Sequence, residues 1–123
     1  MSRAQRFVVA LTTDASGDCT AYSDVVTGTL SQIRYVKTDF DNGIDFTVTA
    51  EATGESIWAE SDVNASATRA PRQATHTVAG VASLYAAVGQ AVNDSIAVAN
   101  DRIKIVVAQG GNVKTGTLHL VFN

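Results

Sequence analysis

The sequence predicts an all-β protein, and three observations support that prediction. Short segments alternate apolar and polar residues with a period of two, most clearly over Ile44–Ala50. Turn residues separate these segments, among them the pair Asn42-Gly43. No part of the chain shows the alternation of strands and helices that a parallel sheet requires. We therefore expect a β-sandwich of about eight strands, arranged as a jelly roll or as another Greek key.

The length bounds the organisation of the chain. With 123 residues, of which 46% are apolar, the chain has enough apolar side chains to build one core without disulfides. We therefore expect a single β-sandwich domain over residues 1–123.

Each predicted strand follows from its own pattern. The first is rich in β-branched residues and is stopped by turn residues. The third has apolar residues on both faces, which suits a central strand or one whose outer face meets a partner. The last two flank glycines that can adopt positive φ. The predicted strands are Arg6–Thr13, Cys19–Ser23, Leu30–Lys37, Ile44–Ala50, Ser56–Ser61, Ser95–Ala99, Arg102–Ala108 and Lys114–Phe122.

Tight turns between these strands predict three hairpins. An Asn-Gly pair tolerates the positive φ that a type I′ turn requires, so Leu30–Phe40 is expected to fold back on Ile44–Ala50. The turn at residues 14–18 is expected to join the first two strands in the same way. Gln109–Asn112 is expected to join the last two.

Two segments lack the periodicity of a strand. Asp62–Thr75 contains the only proline, Pro71, and is predicted to be a long surface connection, which is a kind of segment that often carries function. Thr77–Ala91 has apolar residues at helical spacing between Gly80 and Gly89. It is predicted to be either a short helix or an apolar loop.

The composition disfavours several classes of partner. The net charge is −3 and no Lys/Arg cluster exists, so the chain is not expected to bind nucleic acid directly. The apolar run Phe7–Leu11 is too short to enter a membrane. Only 17% of the residues are charged, which is low for a globular domain. A low charge content is typical of domains whose surface is covered by other subunits, although plain β-sandwiches also show it.

No residue pattern predicts catalysis, a metal or a cofactor. Cys19 is the only cysteine, which is typical of a reducing compartment. Its neighbour Asp18 favours a structural thiol over a reactive one. His76 and His119 have no further ligand at a suitable spacing. The segment Asp39–Asp45 resembles a calcium loop only loosely, and an Asn-Gly turn explains the same residues better. The chain is therefore not expected to be an enzyme.

The best candidates for an interface are two arginines and a few aromatic residues. Arg69 and Arg72 flank Pro71 in the long connection, where an extended segment can reach a neighbouring subunit. Arginine is favoured at interfaces because its planar fork binds a carboxylate in two places. Trp58 and Tyr35 are either core residues or interface anchors, as is Tyr85.

Three segments of the chain carry a resemblance to a known group of proteins. They are IRYVKTDFDNGIDFTVTAEATGESIW, NASATRAPRQATH and RIKIVVAQGGNVKTGTLHLVF. They resemble small proteins encoded among the virion structural genes of tailed bacteriophages and prophages, over about Gly28 to Phe122. The group has no diagnostic motif, so the resemblance assigns a role to no particular residue.

The resemblance implies a structural protein of the phage particle, located in the virion after assembly in the host cytoplasm. A capsid decoration (cement) protein is the leading expectation, and a neck, head–tail joining or tail component is the alternative. The implied partners are the major capsid protein or other virion subunits, together with further copies of the same chain. A carbohydrate-binding module of a tail fibre is a second class. It predicts an exposed aromatic platform, with Trp58 near Asp39 or Asp41.

Overall fold

The computed structural model describes residues 3–123, and this part of the chain contains ten β-strands and no helix. The strands form two antiparallel sheets, so the all-β prediction is confirmed. The strands are β1 (Gln5–Thr12), β2 (Cys19–Tyr22), β3 (Val26–Lys37), β4 (Asp45–Ala50), β5 (Ser56–Glu60), β6 (Ala67–Arg69), β7 (Arg72–Ala74), β8 (Asn93–Asp101), β9 (Ile103–Ala108) and β10 (Thr115–Phe122).

The first sheet has the order β1-β10-β3-β8-β7, with β6 also paired to β3. The second sheet has the order β2-β9-β4-β5. Without the three-residue strands β6 and β7, each sheet has four strands. The first four strands of the chain, β1 to β4, lie alternately in the first and the second sheet. This order favours the jelly roll over the other Greek-key arrangement.

The core lies between the two sheets and follows from the alternation of each strand. Along β10, for example, Leu118, Leu120 and Phe122 are buried while the residues between them face outward. Aromatic rings link the two layers, because Tyr35 of β3 contacts Phe46 of β4 with the ring centroids 4.8 Å apart. Phe46 in turn stacks on Trp58 at 5.1 Å.

The three predicted hairpins are wrong. In each pair the two strands belong to different sheets, and the segments 13–18, 38–44 and 109–114 cross from one sheet to the other. The alternation identifies a strand and its buried face. It does not identify the pairing of the strands, because the same residues are buried whether the chain turns back within one sheet or crosses to the other sheet. Six or seven residues are long enough to span the roughly 10 Å between packed sheets. At the supposed type I′ turn, Gly43 adopts a positive φ of 94° but Asn42 does not.

The three crossing segments bind one another at one end of the sandwich, and we call them the crossing loops. Gly110 N donates to Gly17 O at 2.9 Å, and Asp41 N donates to Gly110 O at 3.0 Å. Val113 N also donates to Asp14 O at 3.2 Å. The turn chemistry of the sequence is therefore used to stack three loops rather than to close three hairpins.

The two segments without strand periodicity also differ from expectation. The predicted surface connection Asp62–Thr75 contains the short strands β6 and β7 on either side of Pro71. Residues 77–91 form turns with two isolated bridges, so the short-helix alternative is wrong and the apolar-loop alternative is correct. Gly80 has a positive φ of 78° within a turn, and a helix of about two turns is too short to be stable without packing.

Candidate interaction surface

A projecting segment between β7 and β8 is the main exposed feature of the molecule. β7 pairs with the first residues of β8 through Arg72↔Ser95, Gln73↔Asp94 and Ala74↔Asn93. Residues 75–92 extend beyond this ribbon, and we call them the arm. Thr75, Ser83 and Val92 are half-buried, while every other residue of the arm is exposed.

The arm is held together by its own backbone hydrogen bonds. Thr75 N donates to Val92 O at 2.8 Å, Val92 N donates to Ser83 O at 3.0 Å, and Ser83 N donates to Thr75 O at 2.9 Å. Three short segments of the arm therefore each bond to the other two. The arm has a defined shape of its own, although it contributes no residue to the core.

The surface of the arm is apolar and uncharged. Its large apolar side chains are exposed, at 111% for Val78, 62% for Val81, 43% for Leu84, 76% for Tyr85 and 98% for Val88. No Asp, Glu, Lys or Arg occurs from residue 73 to residue 93. An exposed apolar segment of this kind is a candidate binding surface.

Arg69, a predicted interface residue, is bound within its own chain. Its Nε and Nη2 atoms donate to the two carboxylate oxygens of Glu60 at 2.8 and 2.9 Å. Trp58 Nε1 donates to the same carboxylate at 3.1 Å. The ion pair with Arg69, followed by the bond from Trp58, lowers the pKa of Glu60 to about 2. Because Glu60 ends β5 and Arg69 ends β6, this pair joins the two sheets.

Arg72 and Pro71 lie where the chain leaves the sandwich for the arm. Arg72 is exposed, and its Nη1 atom donates to the carbonyl of Ser31 at 3.1 Å and to that of Pro71 at 2.9 Å. Pro71 is half-buried between β6 and β7. The guanidinium of Arg72 has no carboxylate partner among the described residues.

Tyr35 and Trp58 belong to the core rather than to an interface. Tyr35 is fully buried, its hydroxyl has no hydrogen-bond partner, and burial raises its pKa to about 12. Trp58 is 8% exposed and stacks on Phe46. A carbohydrate site with Trp58 as its exposed platform is therefore contradicted. Of the aromatic candidates, only Tyr85 is presented to solvent.

Carboxylates of the acidic turn Asp39–Asp45 bind backbone N–H groups of other segments. Asp39 Oδ1 accepts from Thr115 N at 2.7 Å, and this bond lowers the pKa of the Asp39 carboxyl. Asp45 Oδ1 accepts from Asp62 N at 3.1 Å. Nowhere in residues 3–123 do three His, Cys, Asp or Glu side chains come close enough to share a metal ion. The surface of the same residues has no pocket.

The sequence pattern did not single out the part of the exposed segment that the structure presents most to solvent. It favoured residues 62–75 because of their arginines, and it left residues 77–91 between a helix and an apolar loop. The signal that identifies the arm was present in the sequence. It is the absence of any charged residue between Arg72 and Asp94 in a stretch with no strand periodicity.

Comparison with known proteins adds no assignment. No protein-family model matches this sequence, and no curated protein shows significant similarity to it. Residues 3–123 include no helix with the length and apolar character that crossing a membrane requires.

Proposed function

We propose that this chain is a structural subunit of a tailed-phage particle, most specifically a capsid decoration protein that binds neighbouring shell subunits. Its activity in this proposal is binding, and no reaction is performed. The resemblance of three sequence segments to virion structural proteins supplies the biological setting. The arm supplies the observation that carries the proposal, because a large exposed apolar surface on a folded body indicates assembly.

The body of the molecule suits this role. Two sheets packed on one core, joined by the Glu60–Arg69 pair and the stacked crossing loops, form a rigid mount for the arm. A rigid mount limits the conformational entropy that is lost when the protein binds. Many copies on one shell then multiply modest contacts into stable attachment.

A count of copies in purified particles tests the proposal. Particles made by the phage or prophage that encodes this chain would be purified, and the chain would be quantified by mass spectrometry against the major capsid protein. We expect a copy number that scales with the number of capsid subunits. A single ring of copies per particle would instead assign the chain to the neck or tail. Its absence from purified particles would contradict a structural role in the virion.

A further inference from the structure

We infer that the arm binds the arm of a second copy of this chain, in a head-to-tail contact that closes into a ring of at least three copies. This inference deepens the proposed function, since it names what covers the arm in an assembled particle. It concerns contacts among copies of the chain alone, and it can therefore fail while the proposed function stands.

The arm contains no Asp, Glu, Lys or Arg. A surface without charges can pack against a copy of itself without like-charge repulsion. It offers no charged groups for steering towards a partner of opposite charge. The exposed valines with Leu84 and Tyr85 provide the apolar centre that stable interfaces share.

Two opposite charges lie at the base of the arm. Arg72 and Asp94 are the charged residues nearest to the arm in the sequence, and both are exposed. Gln73 lies opposite Asp94 in the ribbon, and side chains opposite each other point to the same face. Because neighbours along a strand alternate, Arg72 and Asp94 lie on opposite faces. Neither forms an ion pair among residues 3–123.

This placement selects the symmetry of the contact. A two-fold contact joins the same face of both copies, so both sides of the contact carry Arg72 or both carry Asp94, and the two opposite charges do not meet. A head-to-tail contact joins the Arg72 face of one copy to the Asp94 face of the next, and the charges are then complementary. A closed head-to-tail arrangement needs at least three copies, and it covers both exposed faces of every arm.

The backbone of the arm favours contact through side chains rather than through an added strand. The central segments of the arm already bond to one another through Thr75, Ser83 and Val92. Strand addition requires an edge with free N–H and C=O groups. The side chains that stand out from the arm, above all Val78, Tyr85 and Val88, are therefore the groups that meet the neighbouring copy.

The solution mass of the full chain tests this inference, measured by light scattering and sedimentation over an about hundred-fold range of concentration. We expect a mass of at least three times the 12.9 kDa of one chain. Val88→Asp and Tyr85→Asp place a charge in the apolar centre, and both are expected to give monomers. Val25→Asp is the matched control, because Val25 is 58% exposed and lies outside the arm, and it should keep the wild-type mass.

Charge reversal tests the head-to-tail geometry separately. Arg72→Asp and Asp94→Arg each bring like charges together across the contact and are expected to weaken the ring. The double variant restores an opposite pair and is expected to recover the wild-type mass.

Far-UV circular dichroism of every variant verifies folding, since no arm residue belongs to the core. A wild-type monomer or dimer, an unchanged mass for Val88→Asp, or no recovery in the double variant would each overturn the inference.

Discussion

At the scale of single residues, Glu60 connects parts of the chain that the sequence does not relate. Its carboxylate accepts from Arg69 in the first sheet and from Trp58 beside it in the second. The sequence predicted Arg69 as an interface residue and left Trp58 open between the core and an interface. A sequence does not show whether the carboxylate that an arginine binds lies on its own chain or on another chain. Only the structure could identify the carboxylate that Arg69 binds.

Replacing the Glu60 carboxylate should lower stability in a pH-dependent way. The pKa of Glu60 falls from 4.5 to about 2 on folding, so its contribution is fully present above pH 4.5 and is lost as the pH falls towards 2. Both partners of the ion pair are about a third exposed or more, and solvent screening reduces the contribution to about 1 kcal/mol. Glu60→Gln should therefore lower the free energy of unfolding by about 1 kcal/mol at pH 7.

Urea denaturation of wild type and Glu60→Gln at several pH values checks this expectation. The difference between the two should shrink as the pH falls below 4.5 and vanish near pH 2. Glu55→Gln is the control, because Glu55 is exposed and forms no ion pair within the described chain. An equal loss for Glu55→Gln, or a loss that does not depend on pH, would contradict the assigned role.

Tyr35 carries a second prediction at this scale. Its hydroxyl is buried without a partner, so Tyr35→Phe removes an unsatisfied polar group and should leave stability unchanged or raise it by up to about 1 kcal/mol.

Burial raises the pKa of Tyr35 from 10 to about 12, so the wild type should lose stability as the pH rises from 10 towards 12. Tyr35→Phe should lose less over the same range, as measured by thermal unfolding. A destabilised variant at neutral pH would indicate a hydroxyl partner.

At the scale of elements, the eight strands expected from periodicity are all present, but their pairing is not the expected one. Alternation reports which residues are buried, and Ile44–Ala50 shows how reliable that signal is. Pairing depends on whether the chain turns within a sheet or crosses to the other one. Short turns with glycine serve both purposes, so the sequence around Asn42-Gly43 could not separate them.

A pair of glycine substitutions tests the stacking of the crossing loops. Gly111 and Gly54 both have positive φ, at 96° and 74°, so replacement by alanine carries similar backbone strain of about 1 kcal/mol at each. A Cβ on Gly111 would meet the carboxylate of Asp41 at 2.6 Å, whereas a Cβ on Gly54 would meet nothing within 4 Å. Gly111→Ala should therefore cost about 0.5–1.5 kcal/mol more than Gly54→Ala, because the exposed Asp41 side chain must leave its preferred rotamer.

Chemical denaturation of the two glycine variants measures this difference directly. If the two substitutions cost the same, the close approach of Gly111 to Asp41 would be contradicted. The comparison needs no reference to function, so it tests the fold alone.

At the scale of the whole molecule, the chain divides its roles between a buried body and an exposed arm. All of the core residues lie outside residues 75–92, and the arm holds five of the large exposed apolar side chains. The low overall charge of the sequence pointed to covered surfaces, but it could not locate them. The uncharged stretch between Arg72 and Asp94 marks the arm in the sequence, but its conformation required the structure, because the arm has neither the periodicity of a strand nor the capping of a helix.

Removing the arm should leave the body folded. Thr75 and Val92 are hydrogen-bonded across the base of the arm, so an Asn-Gly turn in place of residues 76–91 can join them as a hairpin. We expect cooperative thermal unfolding at a midpoint within a few degrees of that of the monomeric Val88→Asp variant. We also expect a solution mass that corresponds to one chain. Loss of cooperative unfolding would show that the arm stabilises the body.

Cryo-electron microscopy of purified particles shows whether this protein is part of a phage shell. We expect density for the two-sheet body at regular positions on the capsid, with the arms of neighbouring copies in contact around local rotation axes. Particles whose shell, neck and tail contain no density for this fold would contradict this expectation.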